Sequence, residues 1–150
     1  MKDRRGPAVP RPTLPAMPDL HDHFALKAAG VGATVQLAPD SASARILAGH
    51  DPGDQIVEGL FAVAETGSVA VALPRSERGA ALLSERLWLL VPASELVPTL
   101  DEALARIEGL VRGGRPYVTL MTGPSRTADI ERALTVGVHG PRELHVVLVG

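Results

Sequence analysis

At 150 residues, with 45% apolar and 21% charged residues, the chain has the length of one domain and enough apolar material for one core, which excludes disorder over its bulk. A formal net charge of -2 supplies no basic field to gather nucleic acid or an anionic membrane surface. The sequence contains no cysteine, so a disulfide framework, a thiol nucleophile and a cysteine-held zinc or iron–sulfur cluster are excluded for this chain.

Met1 to Pro18 carries five prolines together with Lys2, Arg4, Arg5 and Arg11, and no apolar stretch follows the charges. Proline blocks helix and removes ladder donors, so residues 1–18 read as an extended Pro-rich arm, and the absence of a signal-like pattern reads as a cytoplasmic protein. The longest apolar runs, such as Leu87 to Ala93 and His145 to Val149, fall well short of the roughly 20 residues that cross a bilayer, so no membrane insertion is expected.

The remaining residues, 19–150, read as an α/β domain. Asp19 can cap a helix to about Ala29, with Leu20, Phe24 and Ala28 at helical spacing and Gly30 as its stop. Ala33 to Leu37 suits a strand, and Ser41 to Leu47 a short helix starting from Asp40 or Ser41. Asp51, Asp54 and Glu58 read as the solvated start of a further helix. Leu60 to Ala64 and Ser68 to Leu73 are apolar runs separated by Glu65-Thr66-Gly67, a turn-like tripeptide, so two strands should meet there. Leu87 to Val91 has the near-unbroken apolar character of a strand buried on both faces. Thr99-Leu100-Asp101-Glu102 opens a helix with acids in its first turn, with Leu100, Ala103, Leu104, Ile107, Leu110 and Val111 along one side and Gly113-Gly114 as its stop. Tyr117 to Met121 predicts a strand, Ser125 to about Val136 a helix, and Glu143 to Val149 a last strand. Helices alternating with apolar strands imply a three-layer α/β/α arrangement around a parallel or mixed sheet, with ligands at strand ends. The Gly30-Val31-Gly32 triplet lacks the strand-before, helix-after setting of a dinucleotide fingerprint, and there is no P-loop.

Two places hold the candidate chemistry. The first is the strand-to-helix junction Gly123-Pro124-Ser125-Arg126-Thr127, followed by Asp129. A helix start offers free N–H donors and a positive dipole end, Ser125 and Thr127 add hydroxyls, and Arg126 can fork onto a phosphate or carboxylate, so the junction suits a small anionic ligand. The bland alternative makes Ser125 a simple cap and Arg126 an ion-pair partner of Asp129. The second is Glu65-Thr66-Gly67, where Glu65 is a candidate catalytic base or nucleophile if it faces a pocket, and a solvated turn residue otherwise. His139, ahead of the last strand, could bring an acid or base to the same edge. The His21-Asp22-His23 triplet lacks a third ligand of the right type, and no metal site is assigned.

Glu65-Thr66-Gly67, the run Gly123 to Glu131 and the run Gly137 to Val149 together resemble the LUD domain family, in its LutC-type lactate utilisation branch, from about Phe24 to the C-terminus. Two departures stand out: Leu83-Ser84-Glu85-Arg86-Leu87 replaces a Leu-Pro-x-x-His pattern, and the helical N-terminal portion is shorter. The resemblance implies a Rossmann-like fold similar to the sugar-phosphate isomerase, CoA-transferase and formyltetrahydrofolate cyclo-ligase group. It also implies a non-redox part in oxidising L-lactate to pyruvate alongside LutA/LutB-like partners that carry the iron–sulfur clusters, with no cofactor in this chain. A homo-oligomer is left open, as are two other functions: a stand-alone enzyme on a phosphorylated, CoA-linked or folate-like substrate, and a metabolite-binding regulatory module.

Overall fold

The structure is a computed structural model that describes residues 19–49, 51–115, 117–124 and 140–150. The arm at 1–18 and the helix expected over 125–136 lie outside the described residues. In chain order the elements are α1 (Leu20–Gly30), β1 (Thr34–Ala38), α2 (Ser41–Leu47), β2 (Asp54–Glu58), β3 (Phe61–Val63), β4 (Ser68–Ala72), α3 (Arg75–Leu82), β5 (Arg86–Pro92), β6 (Leu96–Val97), α4 (Leu100–Arg112), β7 (Val118–Met121) and β8 (Glu143–Val149). The α/β class is the one the alternation of segments implies.

The strands divide into two four-stranded sheets. One is parallel throughout, in the order β1-β8-β5-β2. The other runs β6-β3-β4-β7, with β4 antiparallel to both neighbours and β3 parallel to β6. Side chains alternate across a strand, so each inner strand serves two cores. Leu87, Leu89 and Val91 of β5 and Leu144, Val146 and Leu148 of β8 face a central core shared with Ala62, Val69 and Val71 of the second sheet and with Phe24 and Ala28 of α1. On the far face of the parallel sheet, Trp88, Leu90 and Val147 pack under Ala44 and Ala48 at α2. On the far face of the second sheet, Phe61, Val63 and Ala70 pack under Ala103 of α4, with Ile107 and Leu110 alongside. Full burial of each large aliphatic or aromatic side chain here stabilises the fold by about 1.5–3 kcal/mol.

Local chemistry sets the helix starts. Asp19, Asp40 and Thr99 occupy the N-cap positions of α1, α2 and α4, and each accepts a backbone N–H of the first turn. On α4 the buried stripe is narrower than the spacing suggests: Leu104 and Val111 stay half exposed, while Ala103 is buried.

Asp51, Asp54 and Glu58 do not begin a helix. Asp54 to Glu58 form β2, paired in parallel with β5 so that Asp54 lies opposite Arg86. The Asp54 side chain is only 2% exposed, and its Oδ1 accepts from Arg86 Nε at 2.5 Å. Burial pushes the Asp54 carboxyl up, but the Arg86 hydrogen bond and charge, with the Asp51 N–H, outweigh it and hold the group below its ordinary range. A carboxylate neutralised from a neighbouring strand can stand in a sheet where an unpaired one could not.

Candidate functional site

The β3–β4 hairpin turns at Glu65-Thr66-Gly67, where the Gly67 N–H donates to Val63 O at 2.9 Å. Gly67 has φ 69°, and a Cβ there would lie 2.4 Å from Ala28 N, so the turn seats against the α1 backbone. Gly123, after β7, has φ 68°, and a Cβ there would lie 2.3 Å from Val31 O. Both glycines are therefore required by backbone conformation and by close approach to the same end of α1. Two sequence motifs 56 positions apart are thus held on one shelf.

The β4–β7 register sets Val69 opposite Met121 and leaves Ser68 beside Thr122. Thr66 Oγ1 donates to Ser68 Oγ at 2.7 Å, and Ser68 Oγ lies 2.6 Å from Thr122 Oγ1. Ser68 is 2% exposed. Either hydroxyl can donate in the Ser68–Thr122 contact; when Ser68, accepting from Thr66, passes its proton to Thr122, the Thr122 proton is free to point out of the fold. Each hydroxyl in such a chain polarises the next, so the terminal donor is strengthened toward an acceptor. Pro124, half-buried, follows directly.

Glu65 is exposed and takes a different role from a base in a pocket. Its Oε2 accepts the Leu100 N–H at 2.6 Å, and its own N–H donates to Pro98 O. A carboxylate at a helix N-terminus satisfies an orphan donor and meets the positive dipole end, so Glu65 anchors α4 to the hairpin. Thus the structure brings Thr66, Gly67, Gly123 and Pro124 together and turns Glu65 toward α4. Ser125, Arg126, Thr127, Asp129 and His139 lie outside the described residues. Ser68 and Thr122 are the members that sequence reasoning passes over. Their signal was a hydroxyl at each strand terminus, which gains meaning only once the pairing register is known.

A separate cavity of about 250 Å³ opens at the carboxyl ends of β2, β5 and β8, lined by Ser41, Glu58, Leu90, Pro92 and Val149 among others. This is the general location for ligands of parallel sheets, but none of the candidates among the described residues lines it. Its acid is engaged, since Glu58 Oε1 accepts from Arg45 Nη2 at 2.8 Å. His21 of the His21-Asp22-His23 triplet sets its Nε2 3.2 Å from Ala93 O. Among the described residues there is no group of three or more His, Cys, Asp or Glu placed to hold a metal ion, and no helix is long and apolar enough to cross a membrane.

A parallel sheet backed by a second mixed sheet, with hydroxyls and tight glycines at one strand end, defines an α/β domain whose strand-end loops carry its polar chemistry. The chain belongs to the LUD domain family: the model of that family, described as LUD domain, matches residues 55–149. A protein of Deinococcus radiodurans named Lactate utilization protein C is 34% identical over 103 residues, covering 67% of this chain and 48% of its own length. A protein of the same name from Geobacillus kaustophilus is 40% identical over 92 residues, covering 58% of this chain and 38% of its own. The chain thus spans less than half the length of these two curated relatives. A crystal structure of a DUF162 family protein from Deinococcus radiodurans shares the fold, with a TM-score of 0.64, 19% identity, and coverage of 87% of this chain and 96% of that one.

Proposed function

We propose that this chain serves lactate utilisation as a LutC-like, non-redox component that holds a small carboxylate at the hydroxyl shelf. The observation that carries this reading is the 34–40% identity to proteins named Lactate utilization protein C. Oxidising L-lactate to pyruvate removes two electrons and two protons. With no cysteine in this chain, thiolate-held iron–sulfur clusters that accept those electrons belong to partner proteins of the LutA/LutB type.

In this reading the Thr122 hydroxyl, polarised through Ser68 and Thr66, donates to the carboxylate. Arg126, which follows Pro124 by two residues in the sequence, is the proposed countercharge, with Ser125 and Thr127 as further donors. Glu65 is a positioning residue: it fixes the hairpin on α4 so that the hydroxyls keep their places.

The test is growth on L-lactate as sole carbon source of a host deleted for this gene and for other lactate oxidases. Wild type should restore growth, while Thr122→Val and Arg126→Ala should not, with all three proteins equally abundant. Normal growth of the deletion would overturn the role; restoration by both variants would overturn the site.

A further inference from the structure

The opposite end of the β4–β7 ladder carries a second polar concentration that the reading above leaves unused. A cavity of about 390 Å³ lies where β4 runs into α3 and the end of α4 runs into β7, lined by Leu73, Arg75, Gly114, Arg115 and Tyr117 among others. That volume is in the range of small-molecule sites, which are typically about 300–1,000 Å³, apolar on the floor and polar at a few places. Here Leu73 is the buried floor and Tyr117, 57% exposed, is the wall. The Arg78 guanidinium sits over the Tyr117 ring, 4.6 Å from its centroid.

Among the described lining residues the charged groups are Arg75 and Arg115. Arg78 Nη2 is buried without a hydrogen-bond partner. Among the described residues, no carboxylate forms an ion pair with Arg75, Arg78 or Arg115, although other arginines, Arg45, Arg86, Arg106 and Arg112, are all paired. Arg78 as a whole is half-buried, and a guanidinium nitrogen without a hydrogen-bond partner leaves its positive charge to act on its surroundings, which favours anions nearby. Pro74, at the N-cap of α3, provides no side-chain acceptor for the first turn of that helix.

We infer that this cavity binds a phosphorylated ligand with a flat apolar body, the chemistry of a nucleoside monophosphate. Arg75 and Arg115 fork onto the phosphate, whose double charge matches two lining guanidiniums with a third, Arg78, against the same tyrosine. The flat body lies against Leu73 and the face of the Tyr117 ring that Arg78 leaves open. The site is independent of the carboxylate shelf, which lies at the far end of the same two strands.

Tyr117 is the sole tyrosine of the chain and can be followed by itself. With tyrosine-labelled protein, AMP should shift the Tyr117 ring resonances saturably, and should bind at least about tenfold more tightly than either adenosine or ribose 5-phosphate. Arg115→Ala and Arg75→Ala, both at exposed positions, should each weaken AMP by about tenfold while leaving the fold intact. Unmoved Tyr117 signals at millimolar AMP would overturn the site. Adenosine binding as well as AMP would overturn the arginine contribution, and ribose 5-phosphate binding as well as AMP would overturn the stacking wall. Undiminished AMP binding by both arginine variants would overturn the assignment of the phosphate to them.

Discussion

The two ends of the β4–β7 ladder are built from the same pair of strands and differ in almost everything else. At the Ser68–Thr122 end the backbone is locked: Gly67 and Gly123 press on α1 so closely that no Cβ fits, and the polar groups are neutral hydroxyls already bonded to one another. At the Ala72–Val118 end the nearby Gly114 has open space around it, and the polar groups are arginines without carboxylate partners among the described residues. Rigidity with a short neutral donor chain suits recognition of a small, compact acid, because little order has to be imposed on binding. Room and unmatched positive charge suit a larger anion. One ladder can serve two ligands because the strand pairing fixes the separation of its ends.

The glycines should show the largest difference between the two ends. Gly67→Ala and Gly123→Ala each force a left-handed alanine into backbone atoms of α1 and should cost about 3 kcal/mol or more, read as a lowered unfolding midpoint. Next in size is Ser68→Ala: removing the middle of the hydroxyl chain leaves both neighbours short of a partner, at about 1–3 kcal/mol. Gly114→Ala, strained by its φ of 94° but unobstructed, should cost only about 1 kcal/mol, and a loss equal to that at Gly123 would erase the contrast between the ends. Glu65→Ala should lose about 1 kcal/mol or less, the worth of a charged acceptor at an exposed helix start. A collapse of lactate-dependent growth with Glu65→Gln at unchanged stability would return Glu65 to a chemical role. Smallest is Arg115→Ala, whose stability effect should stay within about 0.5 kcal/mol.

The parts legible in the sequence are those governed by local chemistry. Asp19, Asp40 and Thr99 mark helix starts because a cap acts within a few residues of itself, and the unbroken apolar run at Leu87 marks a strand buried on both faces. Where distant residues decide, the sequence is silent. Asp54 looks like a solvated acid until Arg86, 32 positions later, is set against it. α3 escapes notice because Pro74 offers no capping side chain and Ala81 is its one buried residue. β6 is two residues long and exists through its pairing with β3. The site divides the same way. Thr66, Gly67 and Gly123 stand out as turn residues, whereas the Ser68–Thr122 contact spans 54 positions and the Glu65–Leu100 contact 35. The division into two sheets likewise depends on which strand neighbours which, and hydropathy carries no such information.

Under the proposed function the hydroxyl end, and not the arginine end, is the place for a small carboxylate. The most direct test of that placement is to titrate isotopically labelled protein with L-lactate and with pyruvate while following every backbone amide at once. Saturable shifts should centre on Thr66, Ser68, Thr122 and Gly123, with Gly114, Arg115 and Tyr117 unmoved. Shifts centred on the arginine end, or none at either end, would contradict it.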